Sequence, residues 1–120
     1  MIVHAGEKLA ISREELRALV ARTLDAAGPL QRVLILPPDH TRLNSQAGPI
    51  TAIAYELLTA AGVKVDIMPT LGTHNPMTEK QLRMMYGDTI PLDTFKVHDW
   101  RGGVVRKGVV PGDYLAKLSN

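Results

Sequence analysis

The sequence predicts an α/β fold, a small Rossmann-like, three-layer unit with a mainly parallel sheet that forms part of a larger domain. Two apolar runs at 33–36 and 63–68 have strand composition, and a helical pattern separates them. A weaker run, Phe95-Lys96-Val97, follows a second helical pattern. Strand–helix–strand–helix–strand order favours parallel pairing with right-handed crossovers.

The elements follow in order. Ser12 with Glu15 makes a capping box, in which each side chain satisfies a free amide at a helix start. Leu16, Leu19, Val20 and Leu24 then recur at helical spacing as one buried stripe. Gly28 and Pro29 stop that helix. The run Val33-Leu34-Ile35-Leu36 reads as a strand buried on both faces, and Pro37-Pro38 ends it because neither proline can donate to a ladder.

A second helix starts near Gly48-Pro49 and carries Ile50, Ile53, Ala54, Leu57, Leu58 and Ala61 inward. Gly62 closes it, and the strand at 63–68 begins at once, to be broken by Pro69. Thr78 with Gln81 forms another capping box and opens a short helix that stops at Gly87. Beyond Gly102-Gly103 the pattern thins. Val104-Val105 and Val109-Val110 suggest a hairpin or a lone edge, and Tyr114, Leu115 and Leu118 a brief helix. Three strands offer little core, so residues 1–120 read as an N-terminal α/β domain of a longer chain.

Composition narrows the function classes. The chain has 120 residues, a formal net charge of +2 and no cysteine. No lysine/arginine stripe or aromatic platform accompanies that charge, which argues against nucleic acid. Disulfides, thiolate metal sites and a cysteine nucleophile are excluded. The N-terminus lacks the order of a signal peptide, and no apolar stretch is long enough to span a bilayer. A cytoplasmic protein that does not engage membranes is the expectation.

The chemistry gathers in two polar loops, Asp39-His40-Thr41-Arg42 and Gly72-Thr73-His74, each directly after a strand-like run. Loops leaving successive parallel strands emerge at one sheet edge, where ligands usually bind. Arg42 offers a planar fork of donors suited to a carboxylate or phosphate. Asp39 either orients that arginine or accepts a hydroxyl proton; the plainer reading is an Asp–Arg ion pair fixing a turn. His74 titrates near neutrality and suits acid–base work, while Gly72 lets another molecule approach the backbone. Its plainer reading is a surface histidine on a Gly/Asn/Pro-rich connection.

His40, His74 and His98 lie on separate loops, which makes a three-histidine metal site a poor reading. His98 with Asp99 and Trp100 reads as packing at a strand end, and Arg101 as solvated surface. Neither a phosphate loop nor a dinucleotide fingerprint is present.

Taken together, Pro38-Asp39-His40-Thr41-Arg42 and Gly72-Thr73-His74-Asn75-Pro76-Met77 resemble the N-terminal region of the nickel-dependent lactate racemase family. His98-Asp99-Trp100 resembles a segment of its relatives. The resemblance implies a 2-hydroxy-acid racemase or epimerase that uses a nickel-pincer nucleotide (nickel pyridinium-3,5-bisthiocarboxylic acid mononucleotide). There a histidine takes the substrate hydroxyl proton while hydride moves between carbon and cofactor.

By the same resemblance His74 is one of two acid/base histidines. Asp39, His40, Thr41 and Arg42 line the cofactor and substrate, with Arg42 anchoring the substrate carboxylate. The second histidine, the tethering lysine and the nickel ligand match no position in this chain. The partners implied are a small anionic 2-hydroxy acid and the remainder of the parent chain, and the chain alone is expected to be inactive. The alternative is a non-catalytic α/β module that binds an anionic metabolite or nucleotide at Arg42.

Overall fold

The computed structural model describes Gly6 and residues 10–119; most of the N-terminal stretch read above for a targeting signal lies outside them. Helix α1 (Arg13–Ala26) begins as its sequence dictates. The Ser12 hydroxyl accepts from the Glu15 amide at 3.2 Å, and the Glu15 carboxylate accepts from the Ser12 amide at 2.8 Å. Leu16, Leu19, Val20 and Leu24 form its half-buried stripe, packed on α2 (Ala47–Ala60) and tied there by an Arg17–Glu56 ion pair at 2.7 Å.

Strands β1 (Arg32–Ile35) and β2 (Lys64–Ile67) pair in parallel, with Val33 opposite Val65 and Ile35 opposite Ile67. The pairing continues past both strand ends through a bridge between Pro38 and Thr70. The Thr70 amide and hydroxyl both donate to the Pro37 carbonyl, at 2.8 and 3.0 Å. Two prolines thus end the ladder as a donor row, yet the Pro37 carbonyl still accepts from Thr70. The loops that follow, at 39–42 and 71–74, are thereby held side by side.

The core is built on the sheet face that carries Ile35, Val65 and Ile67. Ile67, Met85, Tyr86 and Ile90 form its buried cluster, with α3 (Glu79–Tyr86) supplying Met85 and Tyr86. Each such side chain contributes about 1.5–3 kcal/mol when fully buried. Helix α3 starts at the Thr78–Gln81 capping box and stops at Gly87, which adopts φ +85°. Helix α2 reaches α3 closely at Gly48, where an added Cβ would lie 1.8 Å from the Met85 carbonyl oxygen. Glycine is the residue that permits this approach. Along α2, Ile53 and Leu58 are buried as expected, but Ile50 is 39% exposed.

Three expectations need correction. The run at 33–36 is not buried on both faces: Leu34 and Leu36 are 51% and 54% exposed, and no helix covers them among the described residues. The unit therefore has two layers here rather than three. Phe95-Lys96-Val97 is not a third strand but a single bridge from Phe95 to Ile67, reinforced by the Lys96 amide donating to the Ile67 carbonyl at 2.7 Å. Val104, Val105, Val109 and Val110 make no hairpin and remain exposed, because no strand edge among the described residues meets them. The brief C-terminal helix does form, as α4 (Gly112–Leu118). No helix among the described residues is long and apolar enough to cross a membrane.

Candidate functional site

The site lies where β1 and β2 hand over to their loops. After Pro38, Asp39 caps a 3-10 segment (His40–Ser45): its Oδ1 accepts from the Thr41 amide at 3.1 Å and the Thr41 hydroxyl at 2.5 Å. An aspartate whose carboxylate accepts the backbone amide two residues on makes such a turn on its own. In the second loop the His74 amide donates to the Leu71 carbonyl at 2.9 Å. Gly72 turns the chain there with φ +58°, a left-handed conformation that suits glycine.

The two loops meet through their side chains. His74 Nδ1 lies 2.5 Å from Asp39 Oδ2. Both carboxylate oxygens of Asp39 are then occupied, one by Thr41 and one by His74. The Asp39 side chain is 4% exposed, whereas that of His74 is 55% exposed. Burial works to raise the Asp39 pKa, but the hydrogen bonds from the Thr41 hydroxyl, the His74 ring and the Thr41 amide outweigh it. The carboxyl is held below its ordinary value of 3.8. An ionised carboxylate only accepts, so Nδ1 of His74 carries the shared proton. Nε2 is left for other partners.

Around this pair the sequence supplies support that its local pattern does not announce. The Tyr86 hydroxyl donates to the Pro38 carbonyl at 2.7 Å, bracing the first loop from α3. Burial, helped by the nearby Asp39 charge, pushes the Tyr86 phenol well above its ordinary pKa. His40 Nε2 lies 3.0 Å from Gln81 Nε2. Gln81 already uses its carbonyl oxygen on the Thr78 amide at 2.8 Å, so its NH2 group donates and His40 Nε2 accepts. His40 Nδ1 is buried without a hydrogen-bond partner.

Of the residues singled out from sequence, Asp39, Thr41 and His74 are brought into one hydrogen-bonded group. His40 turns toward α3 instead. Arg42 does not pair with Asp39 as the plainer turn reading had it. Its side chain is exposed, makes no ion pair among the described residues, and sits at φ −105°, ψ 31°, outside helical geometry. His98 joins the site in a way that strand-end packing did not suggest. It lines, with His74, Asn75, Trp100 and Arg101, a cavity of about 130 Å³. Arg101 is exposed, as expected, and stacks over the Trp100 ring at 4.0 Å.

A model of the lactate racemase N-terminal domain family matches residues 6–112, nearly the whole chain. The chain belongs to this family. The lactate racemase N-terminal domain thus includes both loops and the Asp39–His74 pair. The crystal structure of a Thermotoga maritima protein, determined by a structural genomics consortium, is similar in fold, with a TM-score of 0.68 at 19% identity. The match covers 84% of this chain and 24% of that one, so the domain spans about a quarter of the solved chain's length. No curated protein matches the sequence.

Proposed function

We propose that this domain supplies half of the active site of a 2-hydroxy-acid racemase or epimerase, with His74 as acid–base group and Arg42 as carboxylate anchor. One observation carries the reading: a half-exposed imidazole bonded at 2.5 Å to a buried carboxylate. A base whose far nitrogen is fixed by a third group is the usual arrangement for activating a hydroxyl. Asp39 fixes the tautomer with Nδ1–H and stabilises the imidazolium that forms. Nε2 then takes the proton from the substrate hydroxyl and returns it. Arg42, with no competing acid among the described residues, binds the adjacent carboxylate through its fork of donors.

Among the described residues no three histidine or acidic side chains cluster in the manner of a metal site. On this reading a nickel-pincer nucleotide would take its metal ligand from elsewhere in the parent protein. This domain's share is the proton and the carboxylate.

The test is turnover of 2-hydroxy acids by the full-length parent protein. His74→Ala is expected to lower kcat by about 10²–10⁴-fold. Arg42→Ala is expected to act mainly on KM, lowering kcat/KM by roughly 10- to 100-fold, as for loss of a hydrogen bond between charged groups. Turnover surviving both changes in folded protein would remove the assignment. A second reading, binding of an anionic metabolite without turnover, is favoured only by the uncommitted Arg42. It predicts that Arg42→Ala abolishes binding while His74→Ala leaves it intact.

A further inference from the structure

His98 lies outside the two loops that the family reading uses, yet it holds one of them. Its Nδ1 accepts the Leu71 amide at 3.2 Å. Leu71 is only 5% exposed, so that amide has no solvent to turn to. The carbonyl of the same residue accepts the His74 amide at 2.9 Å, closing the turn at Gly72. Leu71 is thus gripped at both of its backbone groups, one by His98 and one by His74 itself.

We propose that His98 is a positioning residue for His74, acting through the backbone of Leu71. It fixes where the Gly72 turn begins, and the turn in turn sets the His74 ring against Asp39. A buried amide without a partner carries a desolvation cost, so a side chain lacking an acceptor at this place favours a shifted turn. A displacement of the turn by about 1 Å takes the 2.5 Å contact between His74 and Asp39 out of hydrogen-bonding range. Accepting through Nδ1 also leaves the His98 proton on Nε2, so His98 acts here as a neutral ring of fixed tautomer. This deepens the reading of His74 as the acid–base group and rests on it for its catalytic consequence; the geometry can be tested without any turnover.

The experiment is solution NMR of the 120-residue chain and three His98 variants, with thermal unfolding as a control for folding. The probes are the downfield Nδ1–H resonance of His74 and the titration midpoint of the Asp39 carboxyl carbon. An asparagine oxygen can take the place of Nδ1, whereas a glutamine amide lies nearer the place of Nε2. His98→Asn is expected to keep the resonance and the low Asp39 midpoint. His98→Gln and His98→Leu are expected to lose the resonance and raise the midpoint toward the ordinary aspartate value. A folded His98→Leu chain that keeps both signals overturns the proposal. If the leucine variant does not fold, the remaining pair decides: indistinguishable signals from the asparagine and glutamine variants overturn it, and a difference in the stated direction supports it. Failure here leaves the turnover test of His74 untouched, so the two readings fail separately.

Discussion

His74 Nδ1 and Asp39 Oδ2 stand 2.5 Å apart although 35 positions separate the two residues in the chain. The contact joins the loop after β1 to the loop after β2, and it places the charge of one buried carboxylate behind one accessible ring. Asp39→Asn keeps the volume and the Thr41 contact but removes the charge. It is expected to lower kcat with little change in KM, and to cost about 1.5–3 kcal/mol of stability at neutral pH, the range for hydrogen bonds to charged groups. Urea denaturation of the two proteins measures the second effect.

The same pair sets an acid limit. The folded-state pKa of Asp39 is depressed, so its stabilisation is present above the ordinary value of 3.8 and fades as pH falls through the lower folded value. The resistance of the native chain to denaturation should therefore fall below about pH 4. The Asp39→Asn chain should show a smaller loss over that window, because the group responsible is gone. An equal acid loss in both chains would place the sensitive carboxyl elsewhere.

Tyr86 braces the first loop with a single hydrogen bond of 2.7 Å to the Pro38 carbonyl. Tyr86→Phe removes the donor and little else. A loss of about 0.5–1.5 kcal/mol is expected, with faster amide exchange in residues 39–42. On the alkaline side the sign reverses. Burial and the Asp39 charge raise the Tyr86 pKa, so its contribution is whole below the ordinary value of 10.0 and is lost only as pH climbs through the higher folded one. Absorbance titration of the phenols should find one tyrosine ionising late.

Gly48 lets α2 touch α3, since a Cβ there would meet the Met85 carbonyl oxygen at 1.8 Å. Gly48→Ala should separate the helices at a cost of about 1–3 kcal/mol, the range for overpacking. Calorimetry reads this as a lower Tm. Met85 and Tyr86 neighbour one another on α3, so the loop brace at Pro38 should loosen as well.

Much of this fold was legible in short stretches. Both capping boxes, at Ser12–Glu15 and Thr78–Gln81, form because each is decided by four consecutive residues. The two parallel strands and the brief helix at 112–118 likewise follow from local composition. What failed depended on partners. Leu34 and Leu36 have the character of a covered strand face without a cover among the described residues, and Phe95 finds only one bridge because the backbone leaves the sheet after Lys96. In the site, Asp39 and His74 were each visible as chemistry, but their contact was not. Asp39 sits so near Arg42 in sequence that a local pairing looked natural, while its carboxylate is spent on Thr41 and on a residue one strand away. His98 was visible too, but its hold on Leu71 was not legible, because the partner is a backbone amide and leaves no trace in side-chain pattern.

The central claim is that Arg42 and His74 serve one small anion, and a ligand titration addresses it most directly. Lactate added to the chain, with NMR signals followed at the Arg42 guanidinium and the His74 ring, should perturb both groups along one binding curve. In Arg42→Ala the His74 response should vanish over the same concentrations. A His74 ring that responds undiminished without Arg42, or stays silent while Arg42 responds, contradicts the account.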